Sequence, residues 1–376
     1  MQRIENLDAQ DRRVFVRADL SGLLEEGRTE TRLARILPVL EFLLHKRSIV
    51  ILAGHDLPQR SFQPLAEQLA KSLGRTVTFT ELPKLKETVG NAVAGQVVLL
   101  ENLLKYDGES KNENAFAEQL WAVTDIYVSD CFGALAQPYA SIIRHPKNKP
   151  AAIGPRLHDI LTTLGQIQTG KNKPFNLILG GNDFSKKADM IGKLLRPASS
   201  ALIGGSLAYT FMKSRLMNVG NSIVDTQNEV AAFQLQEKAE LEQTDFVLPM
   251  DHIAAERFSK DAKSKATRDI PERWMGLDIG PKTVAHFEKI LKGSGSVIWY
   301  GPLGAVDFPA FAAGSKAIMK VLSRLKAPMA IIGNDTVRLA EDFTFENAVL
   351  IPDGQAAATL LSGKQLPGLD ILQKEV

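Results

Sequence analysis

The chain has 376 residues, 44% of them hydrophobic and 23% charged, and its 45 basic and 43 acidic side chains leave a net charge of +2. That length exceeds one ordinary core and predicts two α/β domains of roughly 150–200 residues each. The near-neutral balance excludes a bulk field that would draw the chain onto nucleic acid or an acidic membrane. A single cysteine, Cys131, excludes an internal disulfide and fits a reducing compartment. Met1 leads into a polar stretch, and no run approaches the roughly 18–20 apolar residues of a membrane span, so a cytoplasmic protein is expected.

Short β-branched runs predict strands at 13–16, 48–52, 97–100 and 125–128, with helix-period segments at 31–45, 63–73 and 113–123 between them. A helical segment at 155–164 runs into the polar 168–174, which places a domain boundary near 165–175. Beyond it, strands are predicted at 176–179, 201–203, 245–248, 296–299, 329–332 and 348–351, and helices at 229–240, 282–291 and 308–325. The segment 258–273 mixes both charge signs and reads as a solvated loop. Strands alternating with helices indicate parallel sheets, because a tight turn cannot return the chain to the same end of a sheet.

Glycines fall where strands of the second half end: Gly180-Gly181, Gly204-Gly205, Gly301 with Gly304, then Gly333 and Gly354. Turns between strand and helix favour glycine anyway, but five such turns in one half point to a crevice where backbone approaches a nucleotide or phosphate. No GxxxxGK[ST] is present, so the crevice is not a P-loop. His45, His145, His158, His252 and His286 show no metal spacing, Asp251 at a strand end suits a structural hydrogen bond, and Cys131 suits a turn that wants a small residue.

The segments 31–44 (TRLARILPVLEFLL), 97–102 (VVLLEN), 203–213 (IGGSLAYTFMK), 274–284 (WMGLDIGPKTV), 299–304 (WYGPLG) and 362–372 (SGKQLPGLDIL) closely resemble the phosphoglycerate kinase family. The resemblance implies two doubly wound, Rossmann-like parallel-sheet lobes joined by a hinge helix. Residues 1–165 would form an acid-substrate lobe, with the tail 362–376 packing back on it, and 166–361 a nucleotide lobe. It also implies transfer of a phosphoryl group between Mg-ATP and 3-phosphoglycerate by a monomer. Such transfer uses no covalent enzyme chemistry, so it depends on positioning and on neutralising phosphoryl charge.

In the first lobe the resemblance carries substrate-binding roles onto Arg17, Asp19, Ser21 (for an asparagine) and His55, with Arg60 standing near a lost arginine, and a catalytic role onto Arg32. Leu104, Ala136, Gln137 and Tyr139 stand where the family has arginines and histidines. In the second lobe it assigns nucleotide contacts to Gly181, Lys187, Gly205, Gly276, Leu277, Pro302, Gly304, Asp307, Asp335 and Thr336, with Asp335 facing the metal. Asp183 occupies the catalytic lysine's position, Tyr300 an asparagine's, and Asp353, Gly354 and Gln355 that of a triple-glycine phosphoryl loop. At an effective dielectric of about 20 a unit charge 4 Å away is worth roughly 4 kcal/mol, so reversing one sign costs on the order of a thousandfold in rate.

Three readings follow. The chain is a family member with lost or strongly reduced transfer that binds a nucleotide or regulates; or a working kinase in which Arg60, Lys105 or Lys186 compensates; or a protein for a different, less anionic acid. Its expected ligands are a nucleotide, with magnesium if that site works and no cofactor otherwise, and a phosphorylated or carboxylate small molecule. No nucleic-acid or membrane partner is expected.

Overall fold

The computed structural model describes residues 1–25, 27–145 and 148–374. The chain divides into two compact units, Met1–Leu161 with Gln365–Val376, and Thr162–Lys364.

The first unit is built on strands β1 (Arg13–Ala18), β2 (Ile49–Ala53), β3 (Val77–Thr80), β4 (Val97–Leu100), β5 (Ile126–Asp130) and β6 (Ala151–Ile153). They form one sheet in the order β3-β4-β2-β1-β5-β6, with every neighbouring pair parallel. The central strands are buried almost throughout, as sheets covered on both faces must be. Among the crossovers, the helix Gln63–Leu73 starts with Pro64 in its first turn and stops at Gly74, whose φ of 60° gives the left-handed cap that glycine adopts without penalty. The expected single helix over 31–45 is instead two, Thr29–Leu33 and Leu37–His45. Pro38 is the reason: its ring cannot continue a helix from the preceding turn but fits the start of a new one. Strands β3 and β6 have no counterpart in the sequence reading. The C-terminal helix Pro367–Lys374 seats Gly368 directly on Leu135 and Ile142.

The second unit contains β7 (Phe175–Leu179), β8 (Ser200–Ile203), β9 (Asp245–Val247), β10 (His252–Ala255), β11 (Ser264–Thr267), β12 (Met275–Ile279), β13 (Ser296–Tyr300), β14 (Met329–Ile332) and β15 (Ala348–Ile351). Six of these make a parallel sheet in the order β15-β14-β13-β7-β8-β9, over a core that includes Ile178, Leu202, Phe287, Trp299, Met319 and Ile331. The other three form a small antiparallel sheet, β11-β10-β12. Its edge strand β11 lies inside the segment expected to be a loop, with three of its four residues exposed. The segment is therefore solvated, as its charges require, yet hydrogen-bonded to β10. The helix expected over 308–325 begins only at Ala313, after a short 3₁₀ turn at Pro309–Phe311. Among the described residues no helix is long and apolar enough to cross a membrane.

Candidate functional sites in the two units

In doubly wound sheets ligands bind beyond the carboxyl ends of the strands, where the strand order reverses. In the first unit the reversal lies between β1 and β5, and in the second between β7 and β13. Arg17 lies at the end of β1, and Gly181 and Tyr300 at the ends of β7 and β13, whereas His55 follows β2, Gly276 and Leu277 lie in β12, and Asp335 and Asp353 follow β14 and β15.

At the end of β1, Arg17 is fully buried. Its Nε donates to Ser141 Oγ (2.9 Å), one Nη donates to the Ala18 carbonyl (3.2 Å), and the other donates to His55 Nδ1 (2.7 Å). A guanidinium can only donate, so Nδ1 must accept and the imidazole is neutral. Burial first, then the charge of Arg17, lowers the His55 pKa to about 3, and Asp19 opposes the shift. Glu109, also fully buried, lies 3.7 Å from Arg17 and accepts from the Ser141 hydroxyl (2.6 Å) and backbone N–H (2.9 Å). Burial raises the Glu109 pKa and Arg17 counters it.

The remaining cations of this cluster are paired as well. Arg32 donates to Glu25 (2.7 Å) and to the Gly22 carbonyl (2.6 Å), and Arg60 to the buried Asp56 (2.7 Å). Lys105 meets the buried Glu101 at 2.8 Å, and Arg156 meets Asp19 at 3.2 Å. Asp56 also accepts from the Gly22 N–H (2.8 Å), and Ser21 donates to the His55 carbonyl (3.2 Å). Sequence reasoning left Glu109 and Asp56 without roles and offered Arg156 only as a replacement anion contact for a different acid. Asp130 ends β5 with one carboxylate oxygen accepting from the Leu157 N–H (2.9 Å) and the other buried without a hydrogen bond; burial raises its pKa to about 7.

In the second unit the glycine turns at the ends of β7, β8 and β13 interlock. Gly181 donates to the Pro302 carbonyl (2.6 Å) and Gly205 to that of Leu303 (2.8 Å), while the Trp299 indole holds the Gly301 carbonyl (2.7 Å). Gly205 has a φ of 60°, and a Cβ there would overlap the Gly181 nitrogen, so only glycine lets these turns touch. Thr336 is fully buried and accepts from the Gly301 N–H (3.1 Å). Gly276 donates to Ser222 Oγ (2.9 Å), Leu277 packs with Ala255 and Phe311, and Gly304 lies against the buried Asp278. Asp307 is exposed.

Beside Gly181, Lys187 is 3% exposed. Its ammonium donates to the carbonyls of Gly180 (2.8 Å) and Asn182 (2.5 Å) and sits 4.7 Å from the centre of the Tyr300 ring. Burial lowers its pKa to about 8, against the attraction of Asp183. Tyr300 covers Gly354 so closely that a Cβ there would collide with the phenol, and its ring edge also flanks Gly333. Its pKa is pushed up to about 12, by burial first and then by Asp353 and Asp183.

Asp183 precedes the helix Phe184–Leu194 with a φ of 58° and pairs with Lys186 at 3.1 Å, so the Lys186 side chain does reach it. Asp353 caps the helix Gly354–Leu361, its carboxylate accepting from the Ala356 N–H (2.8 Å); Gln355 is exposed in that helix. Asp335 is exposed and lies 3.4 Å from Arg338. Among the described residues no group of three or more His, Cys, Asp or Glu side chains is arranged to hold a metal. A lone carboxylate of this kind suits only a magnesium ion that arrives on substrate phosphates.

The family model for phosphoglycerate kinase matches residues 4–364. The chain is 36% identical over 386 residues to the cytosolic phosphoglycerate kinase of Nicotiana tabacum, covering 97% of this chain and 96% of that one. It is 32% identical over 388 residues to the phosphoglycerate kinase of Leptospira biflexa serovar Patoc, with coverage of 98% and 97%. The solved phosphoglycerate kinase of Coxiella burnetii superposes with a TM-score of 0.84 at 27% identity, over 99% of this chain and 98% of that one. That of Pyrococcus horikoshii OT3 shares the fold with a TM-score of 0.87 at 21% identity, over 100% and 99%.

Proposed function

Because this chain belongs to the phosphoglycerate kinase family, we propose that it is a member whose phosphoryl transfer between Mg-ATP and 3-phosphoglycerate is lost or strongly reduced, and that it acts by binding a nucleotide or as a regulatory protein. The observation that carries this reading is the pair of carboxylates where a transferring phosphoryl group needs cations: Asp183 at the start of one helix and Asp353 across the first turn of another. Catalysis of this transfer consists of neutralising phosphoryl charge, and a carboxylate does the opposite. The first unit supports the same reading. Arg17, Arg32, Arg60, Lys105 and Arg156 each face a carboxylate of the same chain, so a trianionic acid would have to displace those partners. Lys186, the remaining candidate for compensation, is paired with Asp183.

The proposal includes a monomeric, cytoplasmic protein whose small-molecule partners are a nucleotide, with magnesium on its phosphates, and a phosphorylated or carboxylate compound. A coupled assay with 3-phosphoglycerate and Mg-ATP at high enzyme concentration tests it. The expected turnover is at least on the order of a thousandfold below the usual roughly 1–10³ s⁻¹. Turnover within that range overturns the reading and makes the chain an ordinary kinase of the kind its curated relatives are named for.

A further inference from the structure

A solvent-open groove of about 530 Å³ lies in the second unit, between the helices Phe184–Leu194 and Glu229–Leu241 and beside the turn that follows the helix Gly354–Leu361. Its floor follows from sequence spacing. Ala188 and Gly192 lie four apart on the first helix, and Ala231, Leu235 and Lys238 recur at helical spacing on the second, so each set shares one face. Alanine and glycine are too short to fill the space between the helices. A Cβ at Gly192 would come within 3.3 Å of Leu235 and 3.8 Å of the Lys238 ammonium, so the half-buried Lys238 lays its charge over the first helix. Lys193 extends toward the turn, its Cε 3.9 Å from where a Cβ would sit on Gly363. There Asp189 and Lys364 pair at 2.6 Å and cancel each other. Among the described residues the side chains of Lys193 and Lys238 form no ion pair or hydrogen bond, which leaves the groove two net positive charges. Two such ammonium groups repel each other, and a dianion between them turns that repulsion into attraction.

We propose that this groove is a binding site for a phosphorylated small molecule, held by Lys193 and Lys238 at its phosphate and by Leu235 at its apolar body. The volume lies within the roughly 300–1,000 Å³ of small-molecule sites. Lysine is a point charge with rotatable donors and suits a tetrahedral dianion. A planar carboxylate is best matched by an arginine fork, and among the described residues no arginine lines the groove. The site stands apart from the glycine turns: at about 1.5 Å per residue, Lys193 lies roughly 15 Å along its helix from Asp183. It does not depend on whether those turns hold a nucleotide. A unit charge at about 4 Å in water is worth a factor of about five in affinity, so neutralising both lysines weakens a phosphate ester by on the order of 25-fold.

Titration of the full, isotope-labelled chain with phenyl phosphate, followed by NMR at about pH 8, tests this, since the ester is then a dianion. Binding should saturate with an affinity on the order of 1 mM, and the shifted resonances should centre on Gly192, Leu235 and Gly363. Benzoate, a planar monoanion of similar body, should bind about fivefold more weakly. The variant Lys193→Gln/Lys238→Gln should lose on the order of 25-fold in affinity for phenyl phosphate and keep the wild-type thermal unfolding, because neither lysine is paired. Lys289→Gln, which removes an exposed charge from the helix Pro281–Leu291, should change the affinity by less than about twofold. The proposal is overturned if phenyl phosphate fails to saturate, if its shifts centre elsewhere, or if the double variant binds it within about twofold of the wild type. Hexaglutamate binding more tightly than phenyl phosphate also overturns it, and makes the groove a surface for acidic peptides.

Discussion

The two units engage their charged side chains by different physical routes. In the first, cations remain at the ends of β1 and β2 but each has acquired a partner, so the local charge is cancelled rather than removed. In the second, Asp183 pairs with the exposed Lys186, Asp353 caps a helix, and Lys187 is buried beside an aromatic ring, so the charges are spent on local structure. Cancellation leaves the donors in place and keeps the fold dependent on them. The Asp183–Lys186 pair contributes little to stability, because both side chains are more than half exposed, whereas Asp353 caps a helix.

The largest effect that would test this contrast lies at Arg17. Arg17→Met leaves Glu109 buried without its counter-charge and should destabilise the first unit by about 3–5 kcal/mol; urea unfolding measures it, and Glu109→Gln added to the same variant should recover most of the loss. If Arg17→Met costs less than about 1 kcal/mol, the cancelled cations are not structural. The next effect is a pH response with a different window in each unit. The folded pKa of His55, about 3, lies below the ordinary 6.5, so the unfolded chain takes the proton first. Its contribution is complete above pH 6.5 and is lost as pH falls toward 3. For Lys187 the folded value of about 8 lies below 10.5, so its contribution is complete above 10.5 and lost as pH falls toward 8. His55→Gln should flatten the acid limb of the stability profile and Lys187→Met the alkaline one, with no exchange between them.

Asp353→Ala should cost about 1 kcal/mol, the worth of a helix cap, whereas Asp353→Asn should be close to neutral, both read by thermal unfolding. Lys186→Ala breaks only an exposed pair and should change stability by less than about 0.5 kcal/mol. The smallest effect expected is on turnover by Asp183→Lys. Restoring that one cation leaves the first unit's arginines paired, so the coupled assay should stay at background. Recovered activity would mean that those pairs open readily for substrate.

The sheet strands with apolar, β-branched runs were legible in the sequence because burial on both faces writes a continuous pattern. Strand β3, reading Val77-Thr78-Phe79-Thr80, was not, because it lies at an edge and is mostly only half-buried. Strands β10 and β11 carry His252, Ser264 and Lys265, whose polarity reads as loop until an antiparallel partner supplies the hydrogen bonds. The lost cations were legible as substitutions at Asp183 and Leu104. The pairing of the survivors was not: Arg156 and Asp19 lie 137 positions apart, and no local rule connects them. Glu109, within Asp107-Gly108-Glu109-Ser110, has the look of a surface turn and is instead fully buried. The capping role of Asp353 did have a signal, an aspartate three residues before the helix-forming Ala356-Ala357-Ala358.

The closing helix Pro367–Lys374 belongs to the first unit, although the whole of Thr162–Lys364 intervenes. On a ribosome the first sheet is therefore synthesised long before the segment that covers Leu135 and Ile142. At about 5–20 residues per second, translation leaves that apolar seat bare for roughly 10–40 s, an interval in which a chaperone has something to hold.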